Sequence, residues 1–149
     1  IGANLTLVQA EFLFAERADL SNATLVGADL SSANLGGANL NQANLTGGVE
    51  LDNAFLSFAN LNEANLTGAN LTAATLNANF SGASLEVGSF IGANFTNANL
   101  SNANLIKADF TNAKMIGANL TDATVIDTNG LIVGDAGNNT LTGTIGNDN

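Results

Sequence analysis

Histidine, cysteine, proline, tryptophan and tyrosine are all absent from the 149 residues, and only three side chains are basic. Each absence excludes chemistry. Without His or Cys there is no zinc or copper site of the usual kinds, no Ser-His or Cys-His nucleophile and no disulfide. Three bases cannot neutralise a phosphate backbone, so direct nucleic-acid binding is not expected. Charged residues make up 11% of the chain, against roughly 25% in an average soluble domain. Thirteen are acidic, for a net charge of −10. No apolar run approaches the ~20 residues of a membrane-spanning helix, and no membrane association is expected. No N-terminal stretch has the charged, apolar and small-residue segments of a signal peptide. The chain opens at Ile1 rather than Met, which suits a processed or excised segment. Periplasm, lumen, extracellular space and cytoplasm all stay open as compartments, and oligomeric state is not legible.

What is present is one pattern, repeated. The chain reads Ala18-Asp19-Leu20-Ser21-Asn22, Ala23-Thr24-Leu25-Val26-Gly27, Ala28-Asp29-Leu30-Ser31-Ser32, Ala33-Asn34-Leu35-Gly36-Gly37. The period is five. Taking the large apolar residue as the centre of each repeat, 25 centres run from Leu5 to Val125, of which 17 are Leu. Phe80, Phe90, Phe95 and Phe110 are further centres, and Ala stands two residues before the centre in 21 repeats. A period of five fits neither an α-helix at 3.6 nor a strand at 2.0. It fits a coil of short extended segments and turns, stacked on itself at a strand spacing of ~4.8 Å. Leu and Ala then both face the axis. Each buried Leu contributes ~1.5–3 kcal/mol, and the columns repeat that gain at every level.

The Ala-(Asp/Asn)-Leu-x-x motif resembles the pentapeptide repeat family over about residues 3–127. The resemblance implies an all-β fold, a right-handed quadrilateral parallel β-helix with four repeats per coil. Twenty-five repeats make about six coils, a rod of roughly 30 Å at ~4.8 Å per level. The register changes twice: Leu45 to Leu51 is six residues, with the extra one in Thr46-Gly47-Gly48, and Leu76 to Phe80 is four. The two changes cancel, so one continuous helix with a local bulge and a shortened corner is expected. At the start, two readings stand. Either Val8/Ala10 and Leu13/Ala15 exchange the large and small inward positions, or residues 7–17 form a short α-helical cap over the open first coil. The division expected is 1–127 for the β-helix and 128–149 for a capping or disordered tail.

The residue before the centre is Asn in twelve repeats and Asp in three. Like charges ~4.8 Å apart repel by about 0.9 kcal/mol in water and 3–4 kcal/mol at an effective dielectric of 20. Asn avoids that repulsion, suits turns and can bond in ladders, so the column reads as structural. Counting four repeats per coil assigns the outward residues to faces. One face gathers Glu11, Asp29, Glu50, Asp52 and Asp109 without a base; it reads as a contact strip for a partner or as a solubilising face. The next carries Phe14 and Phe55 before its centres and Phe58 near its corner, with Phe12 at the corner between the two faces. Gly36 and Gly37 leave room between these aromatics. Outward aromatics on a polar rod mark a contact patch, unless a terminal segment covers them. Arg17, Lys107 and Lys114 are scattered and read as solvated.

After Asp127 the rhythm stops. Gly134-Asp135-Ala136-Gly137-Asn138-Asn139-Thr140-Leu141-Thr142 and Gly143-Thr144-Ile145-Gly146-Asn147-Asp148-Asn149 space their glycines by nine. This is similar to the RTX-type calcium-binding nonapeptide repeat. The resemblance implies calcium ligation at Asp148 and at Asn139, which stands where the family has Asp. Fewer than two turns are present, and a hard cation wants six to eight oxygens. Leu131, Ile132 and Val133 read equally as a cover for the last coil. No cofactor is expected beyond that calcium.

A carboxylate pair such as Glu50 and Asp52 is the sole candidate for catalysis, of glycosidic type, and no aromatic-lined cleft accompanies it. The expectation is a non-enzymatic structural or protein-interaction module with an unidentified protein partner. Two alternatives stand beside it. Some pentapeptide repeat proteins protect DNA gyrase by imitating duplex DNA, and the charge of −10 agrees in sign, although a 30 Å length of B-DNA carries about eighteen charges. The other alternative is calcium-dependent assembly or secretion through the tail.

Overall fold

The computed structural model describes residues 2–130 and the backbone of residues 141–142. Each five-residue repeat makes one flat side and one corner, and the repeat of Leu35 shows how its backbone is satisfied. Leu35 N–H donates to the Phe55 carbonyl (2.8 Å) and Gly37 N–H to the Ser57 carbonyl (2.9 Å), both one coil ahead. Asn39 N–H donates one coil back to Ala18 (2.9 Å), and Ala38 N–H closes the corner onto Leu35 (2.9 Å). The fifth donor, Gly36 N–H, goes to the side-chain oxygen of Asn34 at 3.0 Å. Polar backbone inside a compact rod has to be paired, and here every N–H of the repeat is.

That fifth bond explains the residue before the centre. All fifteen Asn and Asp at this position, from Asn4 to Asn119, accept the N–H of the residue two further on. A side chain that folds back on its own backbone in this way is what Asn and Asp supply best. The corner closes with the residue two after the centre at positive φ, as at Gly37 (66°) and Asn53 (58°), the third-residue signature of a type II turn.

The coils stack in parallel, four repeats to a turn. Asn4 bridges Thr24, Thr24 bridges Asn44, and the column continues through Asn65, Ser84 and Asn104 to Thr124, six coil steps in all. The spacing is 20 residues except across the two register changes: Asp29–Glu50 and the next three bridges span 21, and Asn60–Asn79 and the next three span 19. The extra residue sits in the corner at Gly47 and Gly48, both at φ 73°. A Cβ on Gly47 would lie 2.8 Å from Val26 Cγ1, so glycine is required there on two counts. The missing residue converts a corner to a tighter turn in which Ala78 N–H bonds Leu76 C=O at 2.7 Å, an i→i+2 bond. The helix is continuous through both.

Inside, the Leu centres from Leu25 to Leu120 and the Ala partners from Ala23 to Ala108 are buried. From the fourth coil Phe replaces Leu: Phe90 stacks on Phe110 with centroids 5.1 Å apart, and Phe95 packs obliquely against both at 5.5 Å. On the outside of one face the side chains form a ladder. Asn39 Nδ2 donates to Asp19, Asn60 to Asn39, Asn79 to Asn60, Asn99 to Asn79 and Asn119 to Asn99, at 2.9–3.2 Å.

Residues 7–17 are not a helical cap. Gln9 bridges Asp29 and Phe14 bridges Asn34, and Leu7, Phe12 and Arg17 take the positive φ of ordinary corners. The first coil is therefore a coil like the others, with Val8, Ala10 and Ala15 packed on the core and Leu13 left largely outside it. At the other end β1 (Ala123–Thr124) pairs in parallel with β2 (Leu141–Thr142). Leu131, Ile132 and Val133, and with them the capping reading of the tail, lie outside the described residues, as do Asn139 and Asp148. Among the described residues no helix is long and apolar enough to cross a membrane.

Candidate partner-docking surface

Two neighbouring faces carry the candidate residues, and the coil brings most of them together. On the acidic face Asp29 and Glu50 are bridge partners on successive rungs. Ser31 Oγ sits between Asp29 Oδ1 (2.6 Å) and Asp52 Oδ1 (2.7 Å), so one hydroxyl faces two carboxylates. Glu11 stands on the first coil, two residues after Gln9, the bridge partner of Asp29. Asn70 Nδ2 holds Glu50 at 2.6 Å and Asn53 Nδ2 holds Asp52 at 2.8 Å. Glu11, Asp29, Glu50 and Asp52 thus form one cluster on the first three coils. Asp109 shares their face but stands three rungs beyond Glu50, after Asn70 and Ser89, which is about 14 Å at the strand spacing. It is not part of the cluster.

The Ser31 hydroxyl, followed by the Ser31 N–H, holds the Asp29 carboxyl below the usual carboxylate range. Ser21 does the same for Asp19 at the foot of the amide ladder. Hydrogen bonds to the ionised form account for both directions.

The adjoining face is apolar where it meets the same coils. Phe14, Asn34 and Phe55 are consecutive rungs, and Phe14 and Phe58 are 77% and 82% exposed. Phe12, also exposed, stands at the corner between this face and the acidic one. Phe12 and Phe58 occupy left-handed corner positions, at φ 58° and 63°, where glycine or asparagine costs least. The fold gains nothing from an exposed aromatic in that conformation.

The room that Gly36 and Gly37 leave between these aromatics has a defined lining. Glu16, Arg17, Gly36, Gly37, Phe55, Ser57 and Phe58 line an open hollow of about 430 Å³. It exists because two successive outward positions of the second coil are glycines. The Phe55 ring leans over one of them: a Cβ on Gly36 would come within 3.0 Å of Phe55 Cε1. The floor is backbone whose N–H groups are already bonded, Gly36 to Asn34 and Gly37 to Ser57. Glu16 and Arg17 pair with each other at 3.8 Å on the rim. The glycine pair in the sequence was the signal for the hollow, and its depth needed the ring positions.

Lys107 and Lys114 stand on the last coils, away from this region. Exposed Val87, Ile91 and Ile116 lie on other corners and rungs and do not join the aromatic cluster. Among the described residues no group of three or more acidic, His or Cys side chains is arranged to hold a metal ion. The calcium reading rests on Asn139 and Asp148, outside the described residues.

A family model described as pentapeptide repeats, in eight copies, matches residues 15–47, 48–77 and 89–128. No curated protein matches the chain in sequence. Among solved structures, a trypsin-treated variant of QnrB1, a plasmid-mediated fluoroquinolone resistance protein, superposes with a TM-score of 0.78 at 20% identity. The match covers 88% of this chain and 64% of that one, so the chain spans less than two thirds of that neighbour's length. A second trypsin-treated QnrB1 variant gives 0.66 at 18% identity, covering 97% and 78%. A pentapeptide repeat protein, Rfr23, from the cyanobacterium Cyanothece 51142, gives 0.44 at 24% identity, covering 82% and 87%.

Proposed function

The chain belongs to the pentapeptide repeat family, and from that premise we propose that it is a non-enzymatic protein-interaction module: a rigid right-handed four-sided rod that presents a docking surface on its first three coils. One observation carries this reading. Phe12, Phe14 and Phe58 are exposed in one region of the rod, beside an acidic cluster. Exposed aromatics clustered in one region of a polar rod are the mark of a contact surface. The absence of His and Cys from the sequence supports the non-enzymatic half of the reading.

The test is a photo-crosslinking capture with the probe placed at residue 12. A specific protein retained by the wild type and lost by the Phe14→Ser/Phe58→Ser double variant supports the reading. A partner retained equally by both contradicts it, as does a saturable catalytic turnover.

A second reading has its own support. The likeness in fold to QnrB1 and the charge of −10 favour imitation of duplex DNA toward a DNA-binding enzyme such as DNA gyrase. Against it, four acids cluster on the first three coils and the others, such as Glu63, Glu86 and Asp109, are spread singly along the chain, whereas duplex DNA carries a charge every ~1.7 Å. Relief of quinolone inhibition in a gyrase supercoiling assay supports this reading, and no effect at stoichiometric excess eliminates it.

A further inference from the structure

We infer that the hollow between Arg17 and Phe58 receives an aromatic side chain from a polypeptide segment whose flanking residues are basic. The inference rests on the docking reading above and adds the chemistry of the partner.

The hollow sets the anchor. Its volume of about 430 Å³ lies at the low end of ligand sites, ~300–1,000 Å³, which suits one large side chain rather than a chain segment. Its floor is the peptide plane at Gly36–Gly37, with its N–H groups already bonded, so it offers little to a polar group. Its wall is the Phe55 ring, held over Gly36, with Phe58 beside it. A planar apolar group gains area against the glycines and edge or face contact with the rings. A lone cation would meet Arg17 on the rim.

The surroundings set the flanks. Glu16 and Arg17 neutralise each other. Net charge on both adjoining faces is acidic: Asp19 follows Arg17 by two residues on one, and Glu11, Asp29, Glu50 and Asp52 lie on the other, across the Phe12 corner. Lys107 and Lys114 are several coils away. A segment seated in the hollow therefore runs onto a surface of one sign, and basic residues beside its anchor meet opposite charge. Acidic flanks meet repulsion.

The chain has no Trp or Tyr, so tryptophan emission from an added peptide is free of protein background. The experiment titrates the full chain into three short peptides: one Trp flanked by Lys pairs, the same with Glu for Lys, and the same with Ala for Trp, the last followed by calorimetry. The expected result is a saturable blue shift with the Lys-Trp peptide alone. Phe58→Ser should weaken that binding at least tenfold, and Asp52→Asn/Glu50→Gln should weaken it severalfold and flatten its salt dependence. Phe58 is exposed and Glu50 and Asp52 are half-buried, and circular dichroism checks the folding of both variants. The inference is overturned by no saturation at ~1 mM protein, by equal binding of the Glu peptide, or by unchanged affinity in both variants. Concentration-dependent dimerisation abolished by Phe58→Ser also overturns it, because a second copy then fills the hollow. Loss of crosslinked partner in the Phe14→Ser/Phe58→Ser variant, seen without peptide binding, leaves the docking reading intact and removes only this partner chemistry.

Discussion

A Cβ on Gly88 would lie 2.7 Å from Cε2 of Phe90. Gly88 holds the inward position that Ala fills elsewhere, and the larger centre two residues later has taken its volume. Gly88→Ala should therefore overpack the fifth coil and destabilise the fold by ~1–3 kcal/mol. Gly88→Ala with Phe90→Leu should recover most of that loss, since it restores the common Ala/Leu pair. Urea unfolding of the two variants measures the difference.

The amide ladder makes a graded prediction at Asn60. Its Oδ1 accepts the Asn62 N–H and Asn79 Nδ2, and its Nδ2 donates to Asn39. Asn60→Ala strands the Asn62 N–H and breaks both rungs, at an expected ~1–3 kcal/mol. Asn60→Asp keeps the acceptor and loses the rung to Asn39, so about 0.5–1.5 kcal/mol is expected. Equal losses in the two variants would show that the backbone bond is not what fixes this position.

Asp29 gives the acid limb of stability a specific contributor. Its carboxyl titrates below the ordinary value because Ser31 bonds the ionised form. A depressed folded pKa means stability that is present above the unfolded value, near pH 4, and lost as pH falls through the folded one. Asp29→Asn retains an acceptor for the Ser31 N–H and removes the titration. Its urea midpoint should fall less than that of the wild type between pH 4 and pH 2. A parallel fall in both proteins would show that other carboxylates carry the acid limb.

Much of this architecture is written in the sequence. The period of five, the inward Leu and Ala columns and the compensating register changes all follow from spacing alone. The helical alternative for residues 7–17 fails because Phe12 and Arg17 fall on corners of the same lattice, and the lattice continues to Asn4. The role of Asn before the centre was legible only as a preference for a polar, uncharged column; its bond to the N–H two residues on belongs to backbone geometry. The docking surface was legible as a list of outward residues. The hollow was not, because it depends on Phe55 leaning over Gly36 rather than standing away from it. Counting by repeats places Asp109 on the acidic face, where the bridges put it, three rungs beyond Glu50.

Phe58 separates stability from binding. At φ 63° and 82% exposure it pays for a left-handed conformation without packing in return. Phe58→Asn should leave the thermal midpoint unchanged or raise it, because Asn tolerates this region of φ better. The same substitution should weaken partner binding. A lowered midpoint would assign Phe58 to the fold rather than to contact.

The central claim is that the first three coils are the working surface, and side-chain footprinting of the full chain with its captured partner tests it most directly. Hydroxyl-radical labelling of the free and bound protein reports each exposed apolar side chain separately. The account expects strong protection at Phe12, Phe14 and Phe58, partial protection at Phe55, and unchanged labelling at Val87 and Ile116. Protection centred on Val87 and Ile116, with the four phenylalanines labelled as in the free chain, would contradict it.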